Sequence, residues 1–309
     1  MEKIFTKKSN ILIISLICTI LWGSAFPVIK ISYETFKINP SDIFSKIYFA
    51  GLRFFIASIM VYIIRKIVIK EKLEIKKSSI KPILILGIFQ TTLQYFFFYI
   101  GVANTSGIKS AILQSGSTFF TVIAAHFIYE GDKLNTRKVI SLLLGFSGVI
   151  FVNLGKNFDL SFKMIGEGFL IISALASTMA TIYVKSISTD IDSFLVSGGQ
   201  MFLGSLFLLL VGKIGMKGSS LNFNFLGIML LVYSAFISAA AFVLWYMLLK
   251  YNPPGEIAIY RLFIPIFGAI SSILFIREEH FTINLVLGLA LVVLGIIVLN
   301  IDNKKRISS

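Results

Sequence analysis

The chain has 309 residues, of which 56% are hydrophobic and 14% charged, with 30 Phe and a mean hydropathy of +0.88. An ordinary soluble domain carries about 25% charged residues, so this composition excludes a water-soluble fold and points to an integral membrane protein. The 29 Lys and Arg against 15 Asp and Glu leave a net charge of +14; in a soluble chain that would suggest nucleic acid, but here the basic residues fall between apolar runs and act first as determinants of orientation.

Ten apolar runs follow one another, each close to the roughly 20 residues that carry a helix across about 30 Å of hydrocarbon. The first, Ile11–Ile31, has the basic flank of a signal peptide but no convincing cleavage site, so it is expected to remain as a span. It holds Trp22, Phe26, Pro27 and the single cysteine, Cys18, whose solitude rules out an internal disulfide and which reads as a buried, inert thiol. Phe44–Val68 carries Arg53 at depth. Pro82–Val102 shows a polar stripe of Gln90 and Gln94 with Thr91, Tyr95 and Phe98, followed by Tyr99. Along Ile108–Tyr129 the residues Ser110, Gln114, Ser117, Thr121 and Ala125 recur at helical spacing, and His126 precedes Glu130 by four. Val139–Leu154 is plain. Ile165–Val184 repeats the small polar stripe as Ser173, Ser177 and Thr181; Phe194–Val211 and Phe225–Leu249, with Trp245, follow. Ile257–Ile276 carries Tyr260, Arg261 and Pro265, and Ile283–Ile301 closes the series.

With both ends on one side, 18 basic residues lie on that side and nine on the other, seven of the 18 between Arg65 and Lys81. Positive charge marks the cytoplasmic face, so a multi-pass protein of the cytoplasmic membrane with both termini inside is expected.

The halves resemble each other. A shift of 148 places Asn104-Thr105-Ser106-Gly107 on Asn252-Pro253-Pro254-Gly255 and Glu130 on Glu278; a shift of 147 places Gly51 to Ser58 on Gly198 to Ser205, and Gly148 to Asn153 on Gly295 to Asn300. Five helices per unit is odd, so the second unit enters the membrane from the opposite side. The expected fold is an all-α integral membrane protein of ten transmembrane helices in two inverted five-helix repeats, residues 10–154 and 160–302, with a basic cytoplasmic tail at 303–309. Inverted repeats are the usual source of two pseudo-equivalent states around a midplane site in secondary transporters.

The first-helix run Trp22-Gly23-Ser24-Ala25-Phe26-Pro27-Val28-Ile29-Lys30, Arg53-Phe54 in the second helix, Glu130 followed by Gly145 to Val149, Gly166 through Lys185, Leu244-Trp245-Tyr246 and Pro265 to Glu278 occur in the order found in the drug/metabolite transporter superfamily. Over residues 10 to 302 the chain resembles its ten-helix EamA-type branch. Ser117 stands where the family usually has a proline, and Ser177-Thr178-Met179 where a tryptophan is common. The resemblance implies transport of small metabolites by alternating access, and it shifts Arg53 toward an architectural role between helices.

Ionisable groups inside a span are costly and functional by default; Arg53, His126 and Arg261 are the deep ones, and no Asp or Glu lies mid-span. Export of cations in exchange for protons on a buried carboxylate is therefore disfavoured, whereas two arginines suit an anionic or zwitterionic cargo. Arg261 either binds a substrate carboxylate or snorkels to the interface. His126 and Glu130 either share a proton or stand as a packed histidine and an interfacial acid. The polar stripes, with Gln90, Gln94, Gln114, Ser117, Thr121, Ser177 and Thr181 as binding candidates, either line a cavity or pack helices closely; unpaired amides cost more than hydroxyls, which favours Gln94 and Gln114 over the serines. Trp22, Phe26, Tyr99, Trp245 and Tyr260 are candidates for an apolar wall, and Pro27 and Pro265 for kinks. The expected partners are a small-molecule substrate and the lipid bilayer, with no nucleic acid, for a chain acting as a monomer without a cofactor. An amino acid or related carboxylate moving outward is the favoured cargo. The competing classes are a membrane-embedded enzyme acting on lipid, for which no clustered metal or Cys/His site is visible, and a channel or sensor, for which no filter motif is visible.

Overall fold

The computed structural model describes residues 2–69, 75–105, 107–153, 161–218, 220–277 and 280–301. Glu278, residues 70–74 of the basic loop and the expected tail at 303–309 lie outside them. Ten helices are long and apolar enough to cross a membrane: α1 (Lys8–Thr35), α2 (Ile43–Val68), α3 (Lys77–Ala103), α4 (Lys109–Ile128), α5 (Thr136–Asn153), α6 (Met164–Ile187), α7 (Ser193–Gly215), α8 (Phe225–Tyr251), α9 (Pro254–Phe275) and α10 (Ile283–Asn300). They match the ten apolar runs. The third begins five residues before Pro82, because its polar first turn, invisible to hydropathy, is helical, and Pro82 is accommodated inside the helix.

Local chemistry sets several of the ends. Asp42 and Asp192 cap α2 and α7 through the backbone N–H groups of Ser45 and of Phe194 and Leu195, and Asn224 and Thr282 do the same for α8 and α10. At the far ends, Asn104 and Asn252, which the sequence repeat superposes, each donate to the carbonyl four residues back, Ile100 at 2.8 Å and Leu248 at 2.9 Å. Asn153 and Asn300, also superposed by the repeat, do likewise to Val149 and Ile296, both at 2.8 Å.

Packing follows the same relation. The helices α2 and α7 lie together, as do α5 and α10; α1 packs on α8 and α9 as α6 packs on α3 and α4, and α8 meets α2 as α3 meets α7. Each pair maps onto another, or onto itself, when five is added to the helix number. Single contacts obey it too. A Cβ on Gly51 would strike Leu209, and one on Gly198 would meet Tyr62; the shift of 147 exchanges these two contacts. A Cβ on Gly148 would lie 2.6 Å from the Gly288 carbonyl oxygen, and one on Gly295 2.9 Å from that of Ser141, again exchanged by the shift. The partner numbers fall as the first numbers rise, so both couples are antiparallel, as an inverted repeat requires. Small residues let the backbones touch where no hydrophobic force drives helices together.

Three spans depart from regular α-helix. In α3 a π-helical stretch covers Ile88–Leu93, in α6 another covers Met164–Gly168, and in α9 a 3-10 turn covers Tyr260–Leu262. The turn lies just before Pro265, whose missing N–H leaves the Arg261 carbonyl without its usual partner. Pro27, by contrast, sits buried inside an uninterrupted α1; the expected breaks therefore divide, one proline accommodated within helix and the other preceded by a tightened turn.

Candidate functional site

The irregular stretches fall on the polar residues. π-Bulges widen a helix and re-aim its side chains, and that in α3 carries Gln90, Thr91 and Thr92, all buried. Gln90 donates its amide to Gln94, accepts from the Tyr246 hydroxyl of α8 at 3.5 Å, and stands beside Thr91, which donates to Gln200 of α7 at 2.6 Å. One turn above, Arg53 of α2 is 5% exposed. Its guanidinium carbon lies 4.5 Å from the Phe54 ring centroid and 5.6 Å from that of Tyr95, and its Nε has no hydrogen-bond partner. Arg261 emerges from the 3-10 turn of α9, partly buried, and both its terminal nitrogens donate to the Ser177 hydroxyl of α6 at 3.2 Å.

These two cations share surroundings. Tyr95 lies in the electrostatic field of both Arg53 and Arg261, and Tyr246 in that of Arg261 and Tyr95. Ring contacts connect them: Phe54 with Tyr95 at a tilt, and edge-to-face pairs of Phe54 with Phe242, Phe242 with Tyr246 and Trp22, and Trp22 with Trp245 at 5.2 Å. The spans contain three acidic residues, Glu34, Glu167 and Glu256, each within three residues of a helix end. Among the described residues no carboxylate forms an ion pair with Arg53 or Arg261. The candidate site is thus a doubly cationic, aromatic-walled centre between α2, α3, α6, α8 and α9.

Other sequence candidates resolve residue by residue. Gln94 and Gln114 join this neighbourhood through Ser173, whose hydroxyl donates to the Gln94 carbonyl at 2.8 Å and to Gln114 Oε1 at 3.4 Å. Ser117, Thr121 and Thr181 pack helices instead: Thr121 and Thr178 both donate to the Ser117 carbonyl, and Thr181 donates to that of Ser177. Trp22 and Trp245 are in the aromatic wall. Phe26 is not; it is 48% exposed and leans on Gly268 at the flank of α9. Tyr260 faces away from Arg261, exchanging hydrogen bonds with Asn300 of α10. It lines a separate cavity of about 160 Å³ at the face where α1 begins, with Lys8, Arg137, Asn252 and Glu256.

His126 and Glu130 do not form a pair. Helix α4 ends at Ile128 and Tyr129 is extended, so the four-residue spacing no longer places both on one face. His126 Nδ1 accepts from the Leu134 N–H at 3.0 Å, and Glu130 is exposed. The neighbouring Tyr129 phenol is held above its ordinary range by burial and by the nearby Asp132 carboxylate.

Two polar clasps at opposite faces escaped sequence reasoning. On the face where α1 begins, Asp132 and Lys138 form an ion pair, 1% and 2% exposed, and the second Asp132 oxygen accepts the Gly255 N–H at 2.6 Å. This ties the α4–α5 connection to the start of α9. On the other face Lys109 of α4 lies 3.0 Å from Glu167 of α6, which also accepts from the Thr105 hydroxyl and the Lys163 N–H. Each clasp joins the two halves. A charged residue set just inside an apolar run, as Lys109 and Glu167 are, was the available signal; Lys109 and Glu167, and Asp132 and Gly255, lie too far apart in sequence to be matched.

The profile of the EamA-like transporter family matches residues 9–154 and again 164–301. The transporter YvbV of Bacillus subtilis, itself uncharacterized, is 27% identical over 291 residues, covering 93% of this chain and 90% of its own. The uncharacterized transporter YoaV of the same organism is 24% identical over 282 residues, covering 90% and 92%. One solved crystal structure shares the fold with a TM-score of 0.77 at 14% identity, over 95% of this chain and 98% of that one.

Proposed function

The chain belongs to the EamA-like transporter family, and from that premise we propose that it is a secondary transporter that moves a small carboxylate-bearing metabolite outward across the cytoplasmic membrane, with both termini inside. The observation that carries this reading is the pair of arginines within the spans, buried Arg53 against the Tyr95 ring and partly buried Arg261 on Ser177, with no carboxylate among the described residues paired to either. A buried cation without a counter-ion is expensive, and a substrate carboxylate supplies the missing charge when it binds. The two halves then rock about this centre, and the clasps Asp132–Gly255 and Lys109–Glu167, one at each face, are placed to open in turn.

Arg53 accordingly has a binding role beside its architectural one, since its Nε is left unpaired rather than spent on a backbone carbonyl. The test is flux of labelled carboxylates into liposomes containing the purified protein, with and without Arg261→Gln. Saturable flux lost in the variant supports the assignment; equal flux in both removes Arg261 from the site.

A further inference from the structure

Resting on that reading, we infer that the cargo is a carboxylate with a flat or apolar body and no ammonium group: an aryl 2-oxo or 2-hydroxy acid rather than the corresponding amino acid. The hydrogen bonds at the centre leave nitrogens, rather than glutamine oxygens, wholly unpartnered. Each glutamine oxygen around it accepts one bond and keeps one lone pair: Gln90 from Tyr246, Gln94 from Gln90, Gln114 from Ser173, and Gln200 from Thr91. The Ser177 oxygen accepts both Arg261 nitrogens. Two buried donors of the centre have no partner, Arg53 Nε and, on α7, Gln200 Nε2. A carboxylate has only acceptors and satisfies donors. An ammonium has only donors and leaves both of these unsatisfied.

Charge argues the same way. The acidic residues of the spans are confined to helix ends, and Glu167 is already occupied by Lys109, Thr105 and the Lys163 N–H. Aromatic faces can hold an ammonium in place of a carboxylate, but those of Phe54 and Tyr95 are taken by the Arg53 guanidinium. A second cation placed there would meet both arginines at low dielectric. The body of the ligand, in contrast, has the rings of Phe242, Trp22 and Trp245, beyond those that Arg53 covers, to lie against.

The probes are phenylpyruvate, phenyllactate, phenylalanine and phenethylamine, which share one ring and differ in charged groups. Their binding to the purified full-length protein is measured by calorimetry, and their competition with labelled phenylpyruvate by liposome flux. The two acids are expected to bind at least about tenfold more tightly than phenylalanine, with phenethylamine not competing, and Arg53→Gln is expected to weaken the acids about tenfold or more. Phenylalanine binding as tightly as phenylpyruvate, with the Arg53→Gln loss preserved, overturns the exclusion of ammonium and leaves the carboxylate reading standing. Phenethylamine competing, acid binding indifferent to Arg53→Gln and Arg261→Gln, or no acid binding at millimolar concentration overturns both. The comparison among probes uses the unaltered protein, so it decides the inference even if a variant fails to fold.

Discussion

Changing Lys138 to methionine leaves the Asp132 carboxylate buried beside the start of α9, with the Gly255 N–H to hold it. Both members of the pair are almost wholly enclosed, at 1% and 2% exposure, so solvent cannot take over the lost role. Removing one partner of a buried ion pair costs about 3–5 kcal/mol. With an unfolding entropy of ~2.1 cal/mol/K per residue, a chain of this length loses about 5–8 °C of melting temperature for that cost. The pair itself, measured against an uncharged replacement, contributes little, because its mutual attraction is offset by the desolvation of two ions. The double variant Asp132→Asn with Lys138→Met removes both charges and keeps an amide oxygen to accept the Gly255 N–H. Its melting temperature is expected to return most of the way to that of the unaltered protein. Thermal unfolding of the four proteins in detergent, followed by circular dichroism, reads the cycle. Single changes that leave the melting temperature untouched, or a double variant as unstable as the two losses added, would refute the reasoning.

Gly148→Leu drives a side chain into the Gly288 carbonyl and Val292, and an overpacked crossing costs about 1–3 kcal/mol or more; Gly131→Ala, with nothing within 4 Å, is the control in the same melting assay. Glu167→Gln strips Lys109 and Thr105 of a charged acceptor and is expected to lower stability by about 1.5–3 kcal/mol, whereas Glu130→Gln stays within about 0.5 kcal/mol; equal effects would contradict the contrast between the engaged and the exposed acid. Glu130→Gln should also leave the pH profile of flux unchanged, since the acid does not reach His126, and a displaced profile would restore that pair as a proton site. Tyr260→Phe loses the hydrogen bond to Asn300, about 0.5–1.5 kcal/mol, without changing which acids compete for transport, because the hydroxyl faces away from Arg261.

Much of the architecture was legible in the chain. The apolar runs located ten helices because crossing hydrocarbon demands both length and freedom from charge, and these are properties of contiguous sequence. The repeat was readable for a related reason: Asn104 with Asn252, and Asn153 with Asn300, close helices by bonding four residues back, a task fulfilled locally and therefore kept at fixed offset. Helix irregularities were less accessible. The π-helical stretch at Ile88–Leu93 carries no proline or glycine of its own, so nothing in the run distinguishes it from ordinary helix.

The site was half visible. Arg53 and Arg261 stood out by burial alone, since any charge inside an apolar run is conspicuous. Their shared neighbourhood around Tyr95 arises from three different helices and no spacing encodes it. The polar stripes left packing and lining equally open; in the structure Gln90 bonds Gln94 and Tyr246 and Gln114 bonds Ser173, while Thr121 and Thr181 bond backbone carbonyls along their own helices. Tyr260 and Phe26 were aromatic in suitable helices, yet face Asn300 and the bundle exterior.

The sequence by itself determined that this protein spans a membrane ten times, carries two related halves, and holds two arginines at depth without an acid beside them in the chain, because hydropathy, local capping and charge are written residue by residue. Only the tertiary structure decided that Arg53 lies against the Phe54 and Tyr95 rings while Arg261 meets Ser177, that His126 and Glu130 part where α4 ends, and that Asp132 with Gly255 and Lys109 with Glu167 fasten the halves at opposite faces. Each of these depends on which helices cross and at what depth, and that follows from backbones meeting at small residues such as Gly51, Gly148 and Gly198 rather than from any local pattern.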